Sequence, residues 1–279
     1  MPDDSLIWLN GAAITQLPLP DRGLDFGDGL FETLLLIDAK PLYLSLHMAR
    51  LDRGLQVLRF PRGVALIEKC LATACLEIAG KGWRYVSLRL TVTRGAGPRG
   101  YTPPREPEPR VVVQATRMLH DPTQMAAPAA LGDSRIRLAS QPALAGLKHL
   151  NRLEQVLCAL DAREQGVDDA LLLGQTGDVV SVGTGNVFIV RGDQISTPPL
   201  DDCGIRGTRR QQVMQCWAPA LGYTVAESRI LPSDIAQAEE VFYTNALYGL
   251  RPVAAYAGAT WADHPVCAAL FAAYMGELP

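Results

Sequence analysis

Two alternating runs lie close together in the first half of the chain, YVSLRLTVTR at 85 to 94 and RVVVQATRM at 110 to 118, joined by GAGPRGYTPPREPEP. Apolar and polar residues trade places at period two, so each run offers one face for burial, and the Gly/Pro-rich joint can extend neither. This part of the chain is thereby committed to a sheet with one covered side. Amphipathic segments nearby can supply the cover. From Leu46 to Leu58 the apolar positions Leu46, Met48, Leu51, Leu55 and Leu58 mostly recur at three or four, and a second such helix covers 62 to 79 and is expected to stop at Gly80. Ahead of them, SLIWLNGAAIT (5 to 15) reads as two short strand pieces about Asn10-Gly11, a dipeptide suited to a tight hairpin. Phe31 to Ile37 reads as a strand that turns through Asp38-Ala39-Lys40 to Pro41.

Segment 119 to 130, LHDPTQMAAPAA, has neither periodicity and separates halves of similar size. It is read as a linker between a smaller domain at 1 to 118 and a larger one at 131 to 279. The second half shows a strand near 135 to 140, a helix from about 151 to 165 ending at Gly166, and a strand at 170 to 173. The turn GQTGD then leads into one strand, VVSVGTGNVFIV, followed by a helix at about 208 to 221 closed by Gly222 and a strand EVFYTNA at 240 to 246. Strands and helices mix without a regular beta-alpha-beta rhythm, and no Gly-x-Gly-x-x-Gly runs from a strand into a helix. The fold class expected is mixed α+β, with two sheet-based domains rather than a dinucleotide-binding fold.

With 279 residues and 48% apolar content, one or two ordinary cores can be buried. A net charge of −3 gives no polycationic surface for nucleic acid or membrane. The first residues, MPDDSLIWLNG, carry acids where a secretory signal carries bases, and no run approaches the roughly 18 apolar residues of a span, so a cytoplasmic setting is the default. Six cysteines without CxxC spacing and four scattered histidines point to free thiols and no metal site.

Lysine is scarce. Of the 26 Lys and Arg only Lys40, Lys69, Lys81 and Lys148 are lysines, and Lys148 lies among apolar neighbours in LAGLKHLNRLEQV (144 to 156). Burial disfavours the charged amine, and a neutral amine is a nucleophile able to condense with an aldehyde. On local sequence the alternative is a lysine that ends a strand and extends its ammonium into water.

The segments DRGLDFGDGLFET (21 to 33), LSLHMARL (44 to 51), GLKHLNRLEQ (146 to 155), VVSVGTGNVF (179 to 188), GIRGTRR (204 to 210) and EEVFYTNAL (239 to 247) occur in the order and spacing of one family. Together they resemble the fold-type IV pyridoxal-phosphate enzymes, over essentially the whole chain. GLKHLNRLEQV, the loop RGAGPRGY (94 to 101) and TNAL (244 to 247) look like the aminodeoxychorismate lyases of that family. The resemblance implies a cofactor, pyridoxal 5'-phosphate, in the cleft between two domains of the D-amino-acid aminotransferase-like kind. It makes Lys148 the lysine bonded to the cofactor's aldehyde carbon and implies a homodimer, with loops of the neighbouring subunit helping to close the cleft. Arg50 matches the arginine that holds the phosphate, though a surface arginine on an amphipathic helix would look the same. Gly207 permits close backbone approach while the amides of Thr208 and Arg209 open a helix toward phosphate, the alternative being an ordinary glycine turn. Asn245 and Ala246 fall in the second phosphate-side loop, where Ala246 lacks the hydroxyl usual in aminotransferases.

One position departs from the family. A glutamate commonly stands five residues before the asparagine of the NxF segment, against the pyridine nitrogen; here that asparagine is Asn186 and five back is Ser181. A hydroxyl leaves the ring a weaker electron sink than a carboxylate does, which disfavours transamination more than elimination. The alternatives are an outward strand serine, or a shifted loop that brings Glu154 or another acid into play.

For a lyase of this kind the resemblance implies a small-molecule substrate, 4-amino-4-deoxychorismate, with 4-aminobenzoate and pyruvate as products. Lys148 is the general base at the carbon bearing nitrogen, and Lys148 or Thr33 supplies a proton to the leaving group, Thr33 being equally readable as a plain β-branched strand residue. Arg94, Arg99 and Tyr101 are candidates for gripping the substrate's carboxylates, as is Arg152, taken to lie one helical turn from Lys148, unless it pairs with an acid. The rival readings are a branched-chain or D-amino-acid aminotransferase on the same fold, and a cofactor-binding protein without activity.

Overall fold

A computed structural model describes residues 4–61 and 64–279, and the side chain of residue 64 is outside that description. The chain divides into two compact units. The first runs to Asp121 and takes back Leu147–Asn151; the second comprises Pro122–Gly146 and Arg152–Pro279.

In the first unit the hairpin about Asn10 and Gly11 (φ 51° and 86°) joins β1 (Ser5–Leu9) to β2 (Ala12–Ala13). Then come α1 (Arg22–Phe26), β3 (Gly29–Ile37), β4 (Lys40–Pro41), α2 (Leu44–Val57), α3 (Val64–Lys81), β5 (Tyr85–Thr93) and β6 (Arg110–Arg117). The six strands form an antiparallel sheet in the order β2-β1-β6-β5-β3-β4. Alternation along β3 and β5 sends Leu30, Leu34, Leu36, Leu88, Leu90 and Val92 to one face, where they pack with Leu51 and Leu55 of α2 and Ile67, Leu71 and Ile78 of α3. Each such side chain, fully buried, contributes about 1.5–3 kcal/mol. The helix expected over 62 to 79 begins outside the described residues at 62 and 63 and runs past Gly80; the chain turns at Gly82 instead, at φ 65°.

The second unit holds β7 (Ala129–Arg137), α4 (Leu153–Gln165), β8 (Asp169–Leu173), β9 (Val179–Val182), β10 (Asn186–Arg191), β11 (Gln194–Thr197) and α5 (Thr208–Gln212). A π-helical turn, Val213–Trp217, joins α5 to α6 (Ala218–Ala220). There follow β12 (Thr224–Glu227), α7 (Pro232–Ala236), β13 (Glu240–Asn245), β14 (Gly249–Tyr256), β15 (Ala259–Thr260) and α8 (Pro265–Met275). Its nine strands form a mixed sheet, β12-β11-β10-β13-β14-β7-β8-β9 with β15 against β14. Residues 129 and 130, the end of the expected linker, open β7.

VVSVGTGNVFIV is two strands rather than one. Asp169 is the cause: its carboxylate accepts from the amides of Gly183 and Thr184 at 3.0 and 3.1 Å and from the Thr184 hydroxyl at 2.6 Å, folding Gly183–Gly185 into a turn. Asn186 therefore begins β10, beside Thr244 of β13.

Candidate active site

In the first unit β3 carries two functional faces. Phe31 and Thr33, with their cross-strand partners Thr91 and Arg89, stand on the face opposite the leucines. Segment Leu147–Asn151 lies along the edge of β3. The Phe31 amide donates to the Lys148 carbonyl at 2.9 Å, the Leu150 amide to that of Gly29 at 3.1 Å, and His149 bridges Leu30 in antiparallel sense. Residues opposite one another in such a pair share a face. Lys148 thus stands with Phe31, its Nζ 4.4 Å from the ring centroid. It is half-buried, whereas Lys40, Lys69 and Lys81 are exposed.

This pairing corrects the placement of Arg152. Residues 148 to 151 are extended along β3, so Arg152 is not one helical turn from Lys148; it is the residue before α4, at φ −124°. Burial lowers the Arg152 pKa, and nearby Glu154 opposes that. Glu154 itself accepts the Ala139 amide at 2.8 Å.

Glu32 is the charged residue on the leucine-bearing face of β3, 1% exposed, and α2 answers it. His47 Nδ1 lies 2.6 Å from Glu32 Oε2, and Arg50 donates from Nε at 2.8 Å to Oε1 and from Nη2 at 2.5 Å to Oε2. Burial would raise the Glu32 carboxyl; the Arg50 guanidinium and the His47 ring overcome it and hold the group at about 2. Arg50 is thus fixed by a buried carboxylate that local sequence did not mark as its partner.

The loop after β5 is braced from below. Arg94 donates to Asp28 at 2.8 Å and to the Leu58 carbonyl at 2.7 Å, and its guanidinium lies over Phe60. Arg22 donates to Asp28 and to the carbonyls of Gly100 and Tyr101, at 2.9, 3.0 and 2.8 Å. Arg94 is buried by these contacts, while Arg99 and Tyr101 are exposed, the Tyr101 ring 5.5 Å from that of Phe26. The structure does not group Arg94 with the two tip residues.

In the second unit Asn186 organises a loop. Its Oδ1 accepts the Gly207 amide at 3.1 Å and its Nδ2 donates to the Ile205 carbonyl at 2.9 Å. A Cβ on Gly207 would overlap Asn186 Oδ1, so the close approach itself requires glycine. Gly207 leads into α5, where Thr208 and Arg209 are buried. Arg209 Nη2 donates to the Ala246 carbonyl at 3.1 Å, and Asn245 Oδ1 accepts the amides of Leu247 and Tyr248 at 3.0 and 2.9 Å. Five sequence-read residues, Asn186, Gly207, Arg209, Asn245 and Ala246, therefore form one hydrogen-bonded pair of loops. Ser181, on β9, is 9% exposed, and its hydroxyl makes no hydrogen bond to a described residue. Thr244 Oγ1 is buried without a hydrogen-bond partner, and its pairing with Asn186 turns it to the same face.

Sequence reading passed over Arg89. Its guanidinium carbon is 3.8 Å from the Phe31 ring centroid, the ring that Lys148 also meets. The signal was an arginine on the polar face of an alternating strand, a pattern that solvated arginines share.

The model of the class IV amino-transferase family matches residues 29–256. Aminodeoxychorismate lyase of Vibrio harveyi is 31% identical over 252 residues, covering 89% of this chain and 90% of that protein. A putative branched-chain-amino-acid aminotransferase of Methanocaldococcus jannaschii is also 31% identical, over 264 residues, 88% of this chain and 86% of the relative. The crystal structure of 4-amino-4-deoxychorismate lyase from Pseudomonas aeruginosa superposes with a TM-score of 0.89 at 34% identity, covering 98% of this chain and 99% of that one.

Proposed function

Because the chain belongs to the class IV amino-transferase family, whose members use pyridoxal phosphate, we propose that it is a lyase that converts 4-amino-4-deoxychorismate to 4-aminobenzoate and pyruvate. The residues present fit the cofactor. Lys148 is the one lysine that is half-buried rather than exposed, its amine over Phe31, and Thr244 and Ser181 carry hydroxyls that no described residue engages. Lys148 would serve the aldehyde carbon, and the start of α5 at Thr208 and Arg209, the loop at Asn245 and Ala246, and Arg50 would hold the phosphate. Gly207 and Asn186 would fix the first of these loops, and Ser181 would face the ring nitrogen. When bound, the cofactor withdraws electrons from the carbon that carries the substrate's nitrogen.

Lys148 is the base in this reaction. Its amine takes the proton from that carbon; the electron pair moves into the ring, which becomes aromatic, as the bond from the neighbouring carbon to the enolpyruvyl oxygen breaks. The departing oxygen receives a proton from Lys148 or from the hydroxyl of Thr33, and the enol becomes pyruvate. Arg99 and Tyr101, at the exposed tip of the braced loop, are proposed to grip substrate carboxylates. Arg94, held by Asp28, would set that loop's position, and Arg152 remains a further candidate for a carboxylate. The reading carries with it a homodimer, a place in folate synthesis and a cytoplasmic setting; among the described residues no helix is long and apolar enough to cross a membrane.

The observation that carries the chemistry is Lys148 held on the edge of β3 with its amine over Phe31. The substrate rests on the two lyase relatives and on Ser181. The equal identity of the archaeal relative favours a second reading, amino-group transfer. A coupled assay separates them: pyruvate formed from aminodeoxychorismate supports the lyase. Glutamate formed from 2-oxoglutarate and an amino acid, without pyruvate release, supports the transferase.

A further inference from the structure

Two cations border one aromatic ring in the first unit. Arg89 projects from the middle of β5, directly across from Thr33, and its guanidinium carbon lies 3.8 Å from the centroid of Phe31, the ring that the Lys148 amine meets at 4.4 Å. Arg89 is half-buried, yet it makes no hydrogen bond or ion pair to any described residue. Arg22, Arg50 and Arg94 of the same unit each meet a carboxylate at 2.9 Å or closer. A guanidinium partly withdrawn from water without an anion is costly, and burial draws its pKa down with no carboxylate opposing the shift. Phe31 satisfies the flat face of the group, leaving the in-plane N–H fork unused. Such a fork matches a carboxylate in two parallel hydrogen bonds.

We propose that Arg89 binds the enolpyruvyl carboxylate of the substrate, the carboxylate of the group that leaves. This rests on the lyase reading above. Lys148 must reach the carbon bearing nitrogen, and the enolpyruvyl oxygen is attached to the next carbon, whereas the other carboxylate lies across the ring. A cation that shares the Phe31 ring with the lysine is therefore placed for the nearer carboxylate. By fixing it, Arg89 orients the breaking bond toward the amine and Thr33.

The test compares Arg89→Gln and Arg89→Lys with the parent holoenzyme, reading KM and kcat for pyruvate release, inhibition by 4-aminobenzoate, and borohydride-fixed cofactor at Lys148 as a measure of an intact site. Loss of a hydrogen-bonded charge predicts a rise in KM of about 10- to 100-fold in Arg89→Gln. It also predicts partial recovery in Arg89→Lys, unchanged inhibition by 4-aminobenzoate and full cofactor fixation. An unchanged KM overturns the inference, as does a fall in kcat alone. Equal weakening of 4-aminobenzoate overturns the choice of carboxylate, because that product retains only the ring carboxylate. Parent protein that turns over no aminodeoxychorismate overturns the lyase reading and this inference together, a result distinct from turnover with an unchanged KM.

Discussion

Arg209, buried at the start of α5, donates to the carbonyl of Ala246 at 3.1 Å and so ties the loop after β13 to the first turn of α5. Arg209→Leu is expected to free the 245–248 loop and weaken cofactor binding about 10- to 100-fold. Absorbance titration of apoprotein with pyridoxal phosphate measures this. Binding equal to that of the parent would show that the tie does not shape the phosphate site.

Gly207 makes a sharper test, since its φ of −67° is open to any residue and only the missing Cβ matters. Gly207→Ala should push Asn186 off the Gly207 amide and cost about 1–3 kcal/mol of stability. Urea unfolding checks the loss. Asn186→Ala, which removes the obstructing oxygen, should make the added methyl of the double variant less costly than it is alone.

The Glu32 carboxyl titrates at about 2 in the fold, below the ordinary carboxylate range. Over that interval the unfolded chain binds more protons than the folded one, so stability rises with pH. The contribution is full above about pH 5 and is lost as pH falls toward 2. Glu32→Gln should therefore be less stable than the parent at pH 7 by about 3–5 kcal/mol, and the gap should narrow by pH 3. Denaturant midpoints at both pH values decide; a constant gap contradicts the ion-pair account of Glu32, His47 and Arg50.

Ser181→Glu replaces a hydroxyl that no described residue binds with a carboxylate. A stronger electron sink should raise the ratio of side transamination to pyruvate release. The two products, glutamate and pyruvate, are measured in one reaction. An unchanged ratio removes the electronic argument for elimination.

What the sequence disclosed follows the range of the forces involved. The Asn10-Gly11 hairpin, β5 and β6 were legible because turn chemistry and period-two burial act within a few residues. The helix ends at Gly166 and Gly222 were legible for the same reason, both glycines turning at positive φ. The pairing of Leu147–Asn151 with β3 was not legible, because its partner lies more than a hundred residues earlier and the bonds at Phe31 and Gly29 that set its register join backbone to backbone. The break at Gly183–Gly185 depends on Asp169, on another strand, and so does not show in VVSVGTGNVFIV alone. Glu32 reads locally as an exposed acid until α2 brings Arg50 and His47 to it. β11, β12, β14 and α8 carried no signal strong enough to be drawn from the sequence, β12 being short and largely exposed.

The central claim is that Lys148 bonds the cofactor. Borohydride reduction of the holoprotein followed by peptide mass mapping tests it most directly: the account predicts a phosphopyridoxyl group on Lys148 alone, in the peptide containing GLKHLNR. The same group on exposed Lys40, Lys69 or Lys81, with Lys148 unmodified, would contradict it.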